Sequence, residues 1–563
     1  MDRTGQGMIA GGNSPAAKLT RRQALRGGAA LGLAAVAAGT ALRAAPSVVR
    51  AGARRSLANG ATLIYASYGS PVDLDPHSAV EDRSALAIRG AYDQLIVLKE
   101  DKTDEYDGLL AERWEANADK SVWIFHLRDG VAFQNGSPCD AEAVRASFER
   151  LLTLGLAPVS EFQRFLSDPA QITAPDPKTV VFDLGRPQPL FEAVISSQYG
   201  GQIVNAKLAK THEADGDWGH AWAQLNAEGM GTGPYRITQF EPDQTLTMAR
   251  HDGYWRGWNG DHFDQIVIRV VPEPTTQRQL IETGDADIVD NLTPEANQAL
   301  AGNPAVTVVS RYSTQVNYVI LTVAGPLKTP AARQAMNYAF PYDDVVNGVY
   351  KGFGKRAVGP VAALTRGFAP DTFTYRTDLA KAKELFAQAG VAPGTELTLM
   401  MQSDAVAMAA AMQLFQANLA QIGIKLAIQQ VDYATFTSIL FRDVDPAEQP
   451  NVLPWGWWPS YNDAWDHLQA QVLCDSAGSL GTNAGYYCDP KIDALMQQAR
   501  DAVDPAAYQQ AMSEIQQILS RDDPPAIYYI QPQWVTVLRK AIEGFVFNPI
   551  YVGTFDWYRL RRG

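Results

Sequence analysis

Gly231-Thr-Gly-Pro-Tyr235, followed further on by Tyr254-Trp255, is the stretch on which the reading of this chain turns. Tyr235-Arg-Ile-Thr238 reads as a strand, and Thr245-Leu-Thr-Met-Ala-Arg250 as its partner. Gly231-Thr-Gly233 has no Gly-Lys-Ser/Thr continuation, so it is not a phosphate loop. Further phrases stand in order around it: Ala111-Glu-Arg-Trp114, Phe125-His-Leu-Arg-Asp-Gly-Val131, Phe148-Glu-Arg150 and, downstream, Arg333-Gln-Ala-Met-Asn-Tyr-Ala339.

Working outward, strands and helices mix along the whole chain. Ala61–Ser67, Val122–Leu127, Val180–Leu184, His262–Val271, Asn317–Val323, Leu397–Met401, Ile424–Ile428 and Pro525–Ile530 read as strands. Ser84–Leu95, Asp140–Leu152, Pro274–Thr283, Pro330–Phe340, Tyr342–Tyr350, Asp378–Ala389 and Ala405–Ile422 read as helices. Asp129-Gly130 and Asn135-Gly136 bracket Val131–Phe133 and predict a hairpin there. The pattern is that of an α/β protein. At 563 residues, 46% hydrophobic, the chain can build several packed domains.

Thr20-Arg21-Arg22-Gln23-Ala24-Leu25-Arg26 looks like a twin-arginine export motif, with Ala24 where an aromatic is usual. An Ala/Gly-rich stretch, Gly27 to Leu42, follows, and Ala51-Gly52-Ala53 offers a small-x-small cleavage site. An N-terminal membrane anchor is the alternative. Cleavage after Ala53 removes seven basic residues and one acid, so the formal charge moves from −13 to −19. Such an acidic body argues against nucleic acid and anionic membranes. No apolar run is long enough to predict a membrane span.

In their order and spacing the quoted phrases resemble the large extracytoplasmic solute-binding proteins of ABC importers, family 5, the type with peptide-, nickel- and opine-binding members. The resemblance implies a two-lobed, type II periplasmic binding protein with an extra subdomain in the first lobe and a hinge-closing cleft. It places a signal segment at 1–53, lobe I at 54–95, 226–307 and 536–563, the extra subdomain at 96–225, and lobe II at 308–535. It implies a periplasmic receptor, acting as a monomer, that takes a small molecule or oligopeptide and delivers it to permease subunits. The ATPase is a separate partner, since the chain has no nucleotide motif. A peptide or peptide-like amine is the expected solute; a nickel complex, an opine or a sugar-like solute stays open. A secreted hydrolase on a two-lobed scaffold and a broad chaperone-like binder are the readings from other classes.

The densest ligand candidate is Trp455-Gly456-Trp457-Trp458-Pro459-Ser460-Tyr461-Asn462-Asp463-Ala464-Trp465-Asp466, with four Trp in eleven residues. Trp offers large contact area at little entropic cost and a face that attracts cations. At least one of these indoles is expected in the lobe II core. The segment is similar to the family's Gly-Trp…Asp-Pro loop, whose Asp in dipeptide-binding relatives pairs with the peptide α-ammonium. Here Ser460 stands at that position, leaving Asp463 and Asp466 as the acids for a cationic group. Asn462 belongs to the same loop. Asn483 and Tyr486 resemble the family's Asn…Gly-Tyr element near the cleft. Tyr68, after the first strand, and Asn317, at the start of lobe II, complete the expected set.

Cys474 and Cys488 flank thirteen residues. Export to an oxidising compartment makes a disulfide there an expectation, and dipeptide-binding relatives carry a similar bridge. Cys139 is left over, a buried thiol at the start of a helix. His212, Asp215, Asp217 and His220 match neither zinc nor calcium spacing. Ala477-Gly-Ser-Leu-Gly481 lacks the strand–helix context of a nucleophile elbow. No catalytic residue, metal or cofactor is assigned.

Overall fold

The computed structural model describes residues 61–403, 405–477 and 483–563. The expected signal segment and residues 478–482 lie outside the described residues. A twelve-stranded sheet runs through the protein. Its order is Lys425–Val431, Glu396–Gln402, Val452–Trp457, Val316–Leu321, Ala526–Arg539, Ile288–Val289, Thr62–Ser67, Gln265–Val270, Thr245–Arg250 and Tyr235–Glu241. Val306–Tyr312 and Gly354–Arg356 join it on Ala526–Arg539.

That fourteen-residue strand belongs to both halves. Its first part, to Pro532, pairs with Val316–Leu321 and Gly354–Arg356; its second part, from Gln533, pairs with Val306–Tyr312 and Ile288–Val289. The other crossing is Ser313–Gln315, between the strands Val306–Tyr312 and Val316–Leu321. The two crossings touch: the Gln531 amide donates to the Ser313 carbonyl at 2.7 Å, and both residues are buried. Thr314 donates twice to the Pro549 carbonyl, tying the C-terminal tail to the same point.

A separate four-stranded antiparallel sheet, in the order Ala111–Ala116, Val122–Leu127, Thr179–Asp183, Ile172–Asp176, carries the helix Ala141–Leu154. Along Val122–Leu127, Trp123, Phe125 and Leu127 alternate inward into one core with Phe148 and Leu151 of that helix. Asp140 caps the helix by accepting from Ala143 N–H, and Gly155 closes it in the left-handed region.

The hairpin expected at Val131–Phe133 is smaller than its two turns suggested. Val131–Phe133 folds onto Ser137–Cys139 around Asn135-Gly136, with Phe133 N–H bonded to Ser137 O and Cys139 N–H to Val131 O. The flanking strand pairs with Ala111–Ala116 and Thr179–Asp183 instead. The helix expected at Ser84–Leu95 runs Asp82–Ala91, because the Glu81 carboxylate caps it earlier and Tyr92 turns extended. Cys474 and Cys488 form a disulfide, and Cys139 is a buried free thiol.

The deciding stretch has a packing reason. A Cβ on Gly231 would sit 2.0 Å from the Ala91 carbonyl oxygen, and one on Gly233 2.5 Å from the Ala91 carbonyl carbon. Only glycine allows this approach to the end of the Asp82–Ala91 helix. Beside it, the buried Asp93 accepts from Thr232 Oγ1 (3.0 Å), Trp255 Nε1 (2.9 Å) and Tyr254 Oη (3.3 Å). The Gly231–Tyr235 and Tyr254–Trp255 phrases thus converge on one carboxylate at the end of the Asp82–Ala91 helix.

Candidate functional site

The segment Trp455–Asp466 begins inside a strand and ends inside a helix. Trp455–Trp457 closes the strand Val452–Trp457, which pairs with Val316–Leu321 so that Gly456 lies opposite Asn317. The Asn317 side chain fills the space over Gly456; a Cβ there would meet its Oδ1 at 2.6 Å. Asn317 itself is buried between Gln315 Nε2 (2.8 Å) and Tyr350 Oη (3.1 Å). Trp455 stacks on Phe436, with ring centroids 5.6 Å apart. The indole N–H groups of Trp455 and Trp457 are shut from solvent with no acceptor.

Beyond the strand, the loop meets the extra subdomain. Ser460 Oγ donates to Glu161 Oε1 at 3.0 Å, and the Ser460 carbonyl accepts from Gln198 N–H at 3.3 Å. Asn462 Nδ2 donates to the Thr103 carbonyl at 2.6 Å. Two more links run alongside: Arg164 forks on Asp475 (3.2 and 3.3 Å), and Arg186 pairs with Asp501 (2.6 Å). Phe165 packs edge-on against Trp465. Residues of the 96–225 stretch and of the Ser460–Asp501 stretch are thus in direct contact here.

Asp463 and Asp466 part company. Asp463 is fully buried and caps the helix Ala464–Val472 by accepting from Trp465 N–H at 2.8 Å. It also takes Arg366 (3.1 Å) and the Tyr508 hydroxyl. Burial pushes its carboxyl up to about 6 against the pull of Arg366. Asp466, one turn in, accepts from Ser460 N–H at 2.5 Å. Burial, then the neighbouring Glu161, holds its carboxyl well above the usual range.

Tyr68 reaches this face from the first lobe. Its hydroxyl donates to Asp82 Oδ2 at 2.8 Å, and the Arg83 guanidinium lies over its ring at 4.5 Å. Arg83 is buried between Asp82 (2.7 Å) and Asp290 (2.8 Å). Tyr199, against the Trp458 indole, lies within the field of Asp82, Glu81 and Glu161. Trp458, Ser460, Asn462 and Tyr68 are therefore brought towards one region, between the first lobe, the subdomain and the second lobe.

Asn483 and Tyr486 stand apart from it. The Asn483 amide is spent on its own loop, donating to Leu473 and Tyr487 carbonyls and accepting from Tyr487 N–H. The Tyr486 hydroxyl donates to the Arg442 carbonyl and accepts from Val444 N–H, both at 2.9 Å.

Sequence reasoning missed Glu161, Gln198, Tyr199 and Tyr461. Gln198 is 3% exposed, yet neither atom of its amide has a partner. Glu161 Oε2 and the hydroxyls of Tyr199 and Tyr461 are likewise buried and unpartnered. Buried polar groups are nearly always paired, so orphans gathered at one interface point to something that fits between. No local signal marks them: Glu161 and Ser460 are 299 positions apart.

His220 Nδ1 contacts Asp75 Oδ2 at 3.0 Å, His212 stacks on Trp222, and Asp217 accepts from three backbone N–H groups. Among the described residues no group of three or more His, Cys, Asp or Glu is arranged to hold a metal, and no helix is long and apolar enough to cross a membrane.

Two halves of a shared sheet, two short crossings and a polar cleft closed over an aromatic loop define a two-lobed, type II periplasmic binding protein. Residues 105–479 match the middle region of the bacterial extracellular solute-binding proteins, family 5, and the chain belongs to that family. It is 28% identical over 503 residues to a probable D,D-dipeptide-binding periplasmic protein of Escherichia coli (strain K12), spanning 88% of this chain and 93% of the relative. It is 26% identical over 489 residues to a glutathione-binding protein of Salmonella typhi, spanning 86% and 91%. A dipeptide-binding protein from Pseudoalteromonas sp. SM9913, solved with Met-Leu, superposes with a TM-score of 0.79 at 21% identity, spanning 89% of this chain and all of that one. The protein is a periplasmic solute receptor of an ABC importer.

Proposed function

We propose that the solute is a peptide or peptide-like amine, held between the Trp458–Asn462 loop, the Glu161 and Gln198–Tyr199 face of the subdomain, and the Tyr68–Asp82 face of the first lobe. The observation that carries this is the set of buried polar atoms without partners at that junction: Glu161 Oε2, both amide atoms of Gln198, and the hydroxyls of Tyr199 and Tyr461. Both acceptors and donors are among these atoms, and Tyr199 lies against Trp458, which suits a short polar backbone with a cationic end. The acids around it outnumber the bases, since Arg83 is already committed to Asp82 and Asp290. The named ligands of the two curated relatives are peptides as well.

In this reading the chain leaves the cytoplasm by the twin-arginine route, works as a monomer, closes on its solute by bending at Ser313–Gln315 and Gln531–Gln533, and is a carrier rather than a catalyst. Native mass spectrometry of the mature protein from its own periplasm tests it. A released mass of a few hundred daltons that fragments as a peptide is the expected result. A nickel complex or an opine in that place would overturn the peptide reading, and turnover of the released compound would overturn the carrier reading.

A further inference from the structure

Glu161 and Asp466 come from opposite sides of the cleft, Glu161 on the subdomain's short helix Val159–Phe162 and Asp466 in the first turn of Ala464–Val472. Ser460 holds both, donating its hydroxyl to Glu161 (3.0 Å) and its N–H to Asp466 (2.5 Å). Ser460 thus brings the two carboxyl groups side by side, Asp466 in the field of Glu161.

Among the described residues neither has a basic partner. Arg164, which projects its field on Glu161, is forked on Asp475; Arg366 is held by Asp463. His467, next to Asp466, is fully buried and neutral, its imidazole pushed down to about 3 by that burial. From the first lobe, Glu81 and Asp82 act on the neighbouring Tyr199, and the one base beside them, Arg83, is held by Asp82 and Asp290. The Tyr461 hydroxyl, fully buried and unpartnered, lies in the field of both carboxyls, and the 3% exposed Gln198 amide flanks Ser460 with no partner.

Two carboxylates bridged by one serine in a buried site, with no base between them, cannot both stay ionised. In the open form they are separate and solvated. Shutting the lobes on nothing then forces one of them to take a proton. An ammonium group supplies the missing positive charge without one, and its three N–H groups are donors that the unpartnered Glu161 Oε2 can accept.

We infer that Glu161 makes closure conditional on a cation: a ligand ammonium seated between Glu161 and Asp466, or failing that a proton, completes the closed cleft. This rests on the reading of the cleft as the solute site and deepens it, naming amines as the favoured solute class. Burial raises both carboxyls above their ordinary range, which agrees with a proton being taken up when no cation is there.

The test needs no ligand. The mature chain is stripped by reversible unfolding, and its radius of gyration is followed by small-angle X-ray scattering from pH 8 to pH 5. The wild type is expected to be extended at pH 8 and compact at pH 5, with a midpoint that moves as one proton is bound. Glu161→Gln is expected to be compact already at pH 8, because its carboxamide donates to Asp466 without a proton. A wild type with one radius at both pH values, or a Glu161→Gln chain as extended as wild type at pH 8, overturns the inference. Such a failure beside a peptide found in the native mass spectrum would sink the latch and leave the receptor reading standing. A normal pH response beside a bound opine would do the reverse.

Discussion

Replacing Asp75 by Ala should loosen one corner of the first lobe far more than its distance from the cleft suggests. Asp75 and Arg150 form a two-pronged pair at 2.8 and 2.6 Å, with both side chains fully buried. Arg150 also donates to the Trp218 carbonyl (3.1 Å) and to His77 Nδ1 (3.1 Å). That last bond requires a neutral His77, and burial with Arg150 beside it pushes the imidazole down to about 3. Removing the carboxylate leaves a guanidinium in the core with no counter-charge, a loss of about 3–5 kcal/mol. At about 1.4 kcal/mol per tenfold, this is a rise of over a hundredfold in local opening. Hydrogen exchange of peptides from Ala141–Leu154, the helix carrying Arg150, reads it directly. Asp75→Leu with Arg150→Met removes both charges and should lose less than Asp75→Ala alone, although His77 and His220 then lack their partner. Protection within tenfold of wild type in Asp75→Ala, or a double variant worse than the single, would refute the assignment of this pair as the organising contact.

Cys474→Ser with Cys488→Ser should cost about 3 kcal/mol, the closure entropy of a loop this size, seen as a lower urea midpoint that reduction of the wild type reproduces. Gly233→Ala places a Cβ 2.5–2.6 Å from backbone atoms of Ala91 and Tyr92; backbone cannot step aside as a side chain can, so the loss should reach the upper end of about 1–3 kcal/mol in urea unfolding. Asn462→Ala removes the bond to the Thr103 carbonyl across the cleft and should weaken binding of the peptide recovered from the native protein by about tenfold, mostly through faster release; an unchanged off-rate would show that this bond does not hold the closed form. His220 gains a proton partner in Asp75, which raises its imidazole above its ordinary value. Its contribution is therefore full below the unfolded pKa and fades as pH rises through the folded one, so the Ala141–Leu154 helix should exchange faster at pH 9 than at pH 6 beyond the intrinsic rate change, and His220→Gln should erase that excess.

Most strands and helices were legible because their side-chain periods are local. Val122–Leu127 alternates, and Pro274–Thr283 starts on a proline and ends at Gly284. The Asp82–Ala91 helix began early because a carboxylate cap, Glu81, lies outside the apolar pattern that suggested Ser84. The tryptophan loop announced itself by composition. Which of its acids faces the cleft did not, since Asp463 and Asp466 differ only in that one caps the helix and the other lies a turn inside it. Glu161, Gln198 and Tyr199 left no trace, because what makes them notable is buried polar atoms at a junction formed by residues more than 250 positions apart.

The long strand Ala526–Arg539 also decides the order in which the molecule can be finished. Thr62–Ser67, among the first described residues, sits in a sheet between Gln265–Val270 and Ile288–Val289, and the latter leans on Val537–Leu538. Trp557, a few residues from the end, donates its indole N–H to the Leu86 carbonyl at 2.8 Å and is fully buried. The first lobe therefore completes its core only with residues from the far side of the second lobe. Its strands from Thr62 to Val270 can pair among themselves early, but the contacts that seal them are made by segments nearly three hundred positions further on, so the lobe is assembled in two stages separated by most of the second lobe.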